Sequence, residues 1–184
     1  MNRTALQRAV FLDRDGVLLR TFGDGPAQRG PRTLSEMELL PGVRQACRRL
    51  LAFGPLICVT NQPDLSRGLL HRLDLDAVHD RLMRELPLAD IYVCGHDAGQ
   101  NCDCRKPRPG LLFAAAFDWH VCLRGSVLVG DRPADIAAGR AAGCRTVLLD
   151  PQCGDATRAD LISPDLLSAA EWILGGATGD KVTR

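Results

Sequence analysis

Residues 11–18 read FLDRDGVL, a short apolar run that ends in two acids, Asp13 and Asp15, on either side of an arginine and followed at once by Gly16. A strand that only fills a core gains nothing from that ending. With one residue between them, the two carboxylates share a face at an extended strand end and repel each other. A divalent cation resolves the conflict, and a hard oxygen site of this kind suits Mg²⁺, which keeps several waters and takes one or two carboxylates plus phosphate. A carboxylate there can attack phosphorus, while a second carboxyl protonates the leaving oxygen and later activates water. Gly16 lets the chain turn sharply, and backbone N–H groups in such a turn can cradle phosphate oxygens. The plainer alternative is an Asp-Gly turn with no chemistry.

The rest of the chain carries the same theme. Five apolar runs, RAVFLD, PLICVT, IYVC, SVLVGD and RTVLLD, are short and uniformly apolar, as buried parallel strands are. Between them GVRQACRRLLAF, LDAVHDRLMREL, PGLLFAAAFDWH and ADIAAGRAAG place apolar residues near the 3.6 period of a helix. Alternating strand and helix predicts an α/β fold, a parallel sheet covered on both faces. LISPDLLSAAEWILGG reads as one more packing helix, and residues 177–184 as a flexible tail. Residues 19–36 and 94–106 stand outside the rhythm.

Composition bounds the function. At 184 residues and 46% hydrophobic, the chain is sized for a single domain spanning 1–184, its core at about 8–175. A net charge of +1 without a basic run argues against nucleic acid or an anionic membrane as partner, and favours a small molecule. There is no apolar stretch of membrane-spanning length and no secretory signal, which predicts a cytoplasmic protein. The eight cysteines then read as reduced thiols, with Cys47, Cys58 and Cys144 as small buried hydrophobes.

Ligands of an open parallel sheet gather beyond the carboxyl ends of its strands. Those ends carry Asp13 and Asp15, then Thr60, Asn61 and Gln62, then Asp131 with Asp135, and Asp131 is the natural further ligand of the cation. Lys106 is one of two lysines among 23 basic residues, so an arginine-preferring sequence uses a compact ammonium there, the point charge a phosphate accepts. Cys94, His96, Cys102 and Cys104 offer three thiols and an imidazole within eleven residues, a filled tetrahedral set for structural Zn²⁺ that orders a loop poor in apolar residues. His71, His79 and His120 read as surface or helix-end residues, and Trp119 and Trp172 as packing.

In their order along the chain, FLDRDGV, VTNQ, the CxH and CxCRKPRPG pair, and VGDRPADIAAG resemble the motifs of the haloacid dehalogenase superfamily, in its zinc-loop branch. The similarity runs from residue 8 to about 150 and is greatest to the heptose 1,7-bisphosphate phosphatases, with histidinol-phosphate phosphatases as cousins. It implies a Rossmann-like fold without a large cap domain, and Asp13 as nucleophile with Asp15 as general acid/base. It further implies Mg²⁺ on Asp13, Asp131 and the backbone carbonyl of Asp15, with Thr60 and Lys106 on the transferring phosphoryl group. Asn61, Gln62, Arg105 and Arg132 would line the substrate side, and Asp135 would support the metal indirectly.

The chain departs from the heptose pattern after the first motif, where LRTFGDGPAQRGPRTLSE lacks the expected acidic-Gly-Tyr-Val. Ser66-Arg67-Gly68 is closer to the heptose enzymes' Ala-Arg-Gly than to the histidinol branch. Arg67, Arg105 and Arg132 would together suit a substrate with a second phosphate. The expectation is therefore a monomeric phosphatase that cleaves a sugar 1,7-bisphosphate at C7. Two other classes compete: a phospho-accepting signalling domain, which a zinc loop does not fit, and a zinc-stabilised nucleic-acid module, which near-neutral charge and few aromatics disfavour.

Overall fold

The computed structural model describes residues 6–25, 28–149 and 158–176; the expected flexible tail at 177–184 lies outside them. Its centre is a six-stranded parallel sheet of β1 (Val10–Leu12), β2 (Leu56–Asn61), β3 (Leu88–Cys94), β4 (Val127–Gly130), β5 (Arg145–Leu149) and β6 (Leu161–Ser163), ordered β3-β2-β1-β4-β5-β6. Strands paired on both sides are mostly apolar because each face is covered, with the polar Thr60 and Asn61 of β2 at its carboxyl end. On one face Val10, Leu12, Cys58 and Val129 pack with α1 (Val43–Leu50), α2 (Arg72–Glu85) and α5 (Leu166–Gly175). On the other, Phe11, Ile57, Val59 and Leu128 pack with α3 (Gly110–Asp118) and α4 (Pro133–Ala142).

Local chemistry sets the helix ends. Pro133 opens α4 where its missing N–H is not needed, Asp135 accepts from the Arg132 N–H at 3.1 Å, and Gly143 closes the helix in the left-handed region at φ 81°. Asp165 caps α5 by accepting from the Ser168 N–H at 2.7 Å. That cap corrects the reading of 161–176 as one helix: Leu161–Ser163 pairs with β5, and the helix begins only after Pro164 and Asp165. Of the five expected strands, β3 is half-exposed rather than buried, because it lies at the sheet edge.

The strand order reverses between β1 and β4, so a crevice opens where their carboxyl ends part. Over this edge lie described parts of three segments, 19–36, 62–71 and 94–106. Among the described residues, no helix is long and apolar enough to cross a membrane.

Candidate active site

A cleft of about 490 Å³ opens at that crevice. Asp13, Asp15, Thr60, Asn61, Gln62, Arg67, Arg105, Lys106, Arg132 and Asp135 all line it. Asp131 lies just beneath, 9% exposed, its Oδ1 buried with no hydrogen-bond partner. Carboxylate oxygens of Asp13, Asp131 and Asp135 all fall within 4.8 Å of one another. Three carboxylates this close repel as anions; Lys106 pairs with Asp13 and Asp135, and Asp131 is left with an unpartnered oxygen beside them. Burial first, then Asp13 and Asp135, push the Asp131 carboxyl up to about 8. Burial also raises Asp13, to about 6, against the opposing pull of Lys106. An orphaned oxygen in an all-carboxylate donor set fits a hard divalent ion such as Mg²⁺.

Lys106 is 4% exposed; its ammonium donates to Asp13 Oδ1 at 2.8 Å and to the Val59 carbonyl at 2.7 Å, and pairs with Asp135 Oδ1 at 2.6 Å. Burial alone would lower its pKa, yet Asp13 and Asp135 together raise it, so the ammonium stays charged. Asp135 thereby joins Lys106 to the first turn of α4. Thr60, 1% exposed, accepts through Oγ1 from Gln62 Nε2 at 2.9 Å.

Asp15 is not part of that close carboxylate cluster and has partners of its own. Arg14 grips it with two parallel bonds, Nε to Oδ1 and Nη2 to Oδ2, each 2.9 Å, and Gln62 Nε2 donates to Oδ2 at 2.8 Å. Oδ2 has both lone pairs engaged and Oδ1 only one. Gly30 closes over this carboxylate, where a Cβ would sit 2.3 Å from its Cγ. The turn glycine, Gly16, has φ 86° and donates its N–H to the Leu19 carbonyl at 2.8 Å, so that group serves the turn and not the cleft.

Three loops are tied around the mouth. Glu36 takes two bonds from Arg29 at 2.8 Å, which fold 19–36 on itself; Arg32 reaches Asp64 at 2.8 Å; Arg67 reaches Asp97 at 2.9 and 2.6 Å. Arg67 is thus committed to Asp97 of the segment 94–106, while Arg105 donates to the His96 carbonyl and Arg132 to Gln28 Oε1. The Asn61 amide faces the Lys106 peptide, donating to its carbonyl at 3.0 Å and accepting from its N–H at 3.1 Å.

Cys94, His96, Cys102 and Cys104 converge as their spacing predicts. Sulfur–sulfur separations are 3.2, 3.4 and 3.6 Å, and His96 Nδ1 lies 3.3 and 3.6 Å from two of the sulfurs. A tetrahedron built on Zn–S bonds of ~2.3 Å has edges of roughly 3.8 Å, so the cage is close to the size zinc requires.

Several cleft residues carry no local signal in the sequence. Arg29, Gly30 and Arg32 reach the cleft only because 19–36 folds back through ion pairs. Arg14 is completely buried, and His79 corrects its reading as a surface residue: it sits in mid-α2, half-buried, with Nε2 2.9 Å from Arg14 Nη1.

Residues 103–169 match the family profile described as HAD-hydrolase-like. The chain is 36% identical to the D-glycero-D-manno-heptose-1,7-bisphosphate 7-phosphatase of Thermosynechococcus vestitus, over 90% of this chain and 94% of that one. It is 32% identical to the D-glycero-alpha-D-manno-heptose-1,7-bisphosphate 7-phosphatase of Mycobacterium bovis, over 97% of each. The crystal structure of the B. bronchiseptica D,D-heptose 1,7-bisphosphate phosphatase complexed with magnesium and phosphate superposes with a TM-score of 0.80 at 32% identity, covering 92% of this chain and 99% of that one.

Proposed function

The chain belongs to the haloacid-dehalogenase-like hydrolases and is a phosphatase, and on that premise we propose that it removes the C7 phosphate of D-glycero-D-manno-heptose 1,7-bisphosphate through a phosphoryl group carried on Asp13. The observation that carries the mechanism is the meeting of Asp13, Lys106 and the orphaned Asp131 Oδ1 at the sheet's switch point.

Lys106 holds Asp13 Oδ1, which leaves Oδ2 to attack phosphorus in line with the leaving oxygen. As the new P–O bond forms and the bond to the C7 oxygen breaks, Asp15 gives that oxygen its proton. Asp15 Oδ1 is the atom with a lone pair free for this proton. In the second half, Asp15 takes a proton from water, the water oxygen bonds to phosphorus, the bond to Asp13 Oδ2 breaks, and phosphate leaves. The proton spent in the first half is regained in the second.

Asp13, Asp131 and the Asp15 backbone carbonyl would hold Mg²⁺, which neutralises the phosphoryl oxygens and keeps Asp13 ionised. The Cys94, His96, Cys102 and Cys104 cage would hold Zn²⁺ and fix the loop that delivers Arg105 and Lys106. The relatives' names and the cleft arginines Arg105 and Arg132 support a sugar carrying a second phosphate.

Phosphate release with Mg²⁺ from the α and β anomers of the heptose bisphosphate, histidinol phosphate and fructose 1,6-bisphosphate tests the substrate. One heptose anomer should be hydrolysed well ahead of the rest. Equal turnover of a singly phosphorylated analogue would remove the argument from the arginines, and histidinol phosphate alone would assign a different substrate to the same mechanism.

A further inference from the structure

Arg14 lies between the two reactive acids in sequence, and its guanidinium bonds to Asp15 and His79. It continues the Val10–Leu12 face of β1, toward α2, and is completely buried. An arginine so placed is costly unless every donor edge finds a partner, and an apolar side chain would fill the same volume. Its outer edge is spent on both oxygens of Asp15. Its remaining Nη1 meets His79 Nε2 at 2.9 Å, which requires an imidazole that accepts at Nε2 and keeps its proton on Nδ1. Burial first, and Arg14 next, hold His79 down to about 4, so it is neutral at ordinary pH.

We propose that Arg14 is a positioning residue for Asp15, and that His79, 65 residues away on α2, completes it as the neutral acceptor that orients the guanidinium. A planar fork on a carboxylate fixes both the direction and the plane of the group, which a lone hydrogen bond from Gln62 does not. The helix face of the sheet thus sets where the proton donor of the cleft stands. The inference rests on the proposed role of Asp15 and deepens it.

An acid that protonates the leaving group matters most when that group is a poor one. The test therefore compares a sugar phosphate with p-nitrophenyl phosphate, whose leaving group departs without a proton, in wild type, Arg14→Met, His79→Leu and His79→Gln. For Arg14→Met, sugar-phosphate turnover should fall by about 10²-fold or more, the range for general acid–base catalysis, while the first-turnover burst of p-nitrophenol survives within about tenfold. His79→Leu should show the same selective loss in smaller measure, and His79→Gln, which restores an acceptor at that reach, should recover most of it. The His79 pair carries the test if Arg14→Met does not fold. Equal losses on both substrates, or no loss, or a Gln variant as impaired as the Leu variant, would overturn the role of Arg14 and His79. A wild type that releases phosphate from neither substrate would instead overturn the function proposed for the cleft.

Discussion

A Cβ placed on Gly16 would lie 2.1 Å from Asp131 Oδ2, so the turn that ends β1 and the acid that ends β4 occupy one another's only space. Gly16 also holds φ 86°, which a side chain resists. Gly16→Ala should therefore displace Asp131, lowering Mg²⁺ affinity and cutting turnover by about 10²-fold or more, with a stability loss of about 1–3 kcal/mol from backbone strain. Mg²⁺ titration of activity alongside thermal melting checks this; an alanine variant with normal Mg²⁺ dependence would contradict it.

Gly30 makes the equivalent contact with Asp15 from the loop 19–36. Gly30→Ala should lower kcat on sugar phosphates by about 10-fold to 10²-fold, within the span expected of general acid–base catalysis, and leave zinc content unchanged. Steady-state kinetics with metal analysis reads both.

Asn61 reaches Lys106 through the backbone, bonding both its N–H and its carbonyl. Asn61→Ala leaves two partly buried peptide groups unpaired and should cost about 1–3 kcal/mol of stability. Because the Lys106 ammonium would lose its fixed origin, kcat should fall more than KM rises.

The cage of Cys94, His96, Cys102 and Cys104 adjoins the same lysine from the other side. Cys102→Ser should lower bound zinc and the melting temperature, and reduce activity because 94–106 no longer presents Arg105 and Lys106. Asp13→Asn should abolish turnover with zinc content intact. Zinc stoichiometry separates the two variants.

Without Mg²⁺, the clustered acids should make the protein less stable as pH rises. Asp131, raised to about 8, and Asp13, raised to about 6, bind more protons folded than unfolded. The stability they contribute is complete below the unfolded carboxyl value of about 4 and is lost as pH climbs through 6 and then 8. Glu36 and Asp97, each held down to about 2 by hydrogen bonds from an arginine, act in the opposite sense and only in acid. The metal-free melting temperature should accordingly be lower at pH 8.5 than at pH 6, and Mg²⁺ should close the gap. A metal-free melting temperature that rises across this interval would contradict the placement of the acids.

Much of this was legible because it is local. Asp13 with Asp15, and Cys94 with His96, Cys102 and Cys104, announce themselves by spacing, and the buried strands by unbroken apolar runs. The limits are equally physical. Leu161–Ser163 is too short to separate from the helix after it, and the break depends on the Asp165 cap. His79 looks like any polar residue on a helix until Arg14 arrives from β1. Arg29, Gly30 and Arg32 join the cleft through Glu36 and Asp64, contacts that no periodicity encodes.

The most direct measurement is rapid quenching of the wild-type protein with heptose bisphosphate labelled at the C7 phosphate, followed by mapping of protein-bound label. Transient label should appear on Asp13, formed and lost at rates consistent with turnover and absent in Asp13→Asn. Catalytic phosphate release from an Asp13→Asn protein, or label on any other side chain, would contradict it.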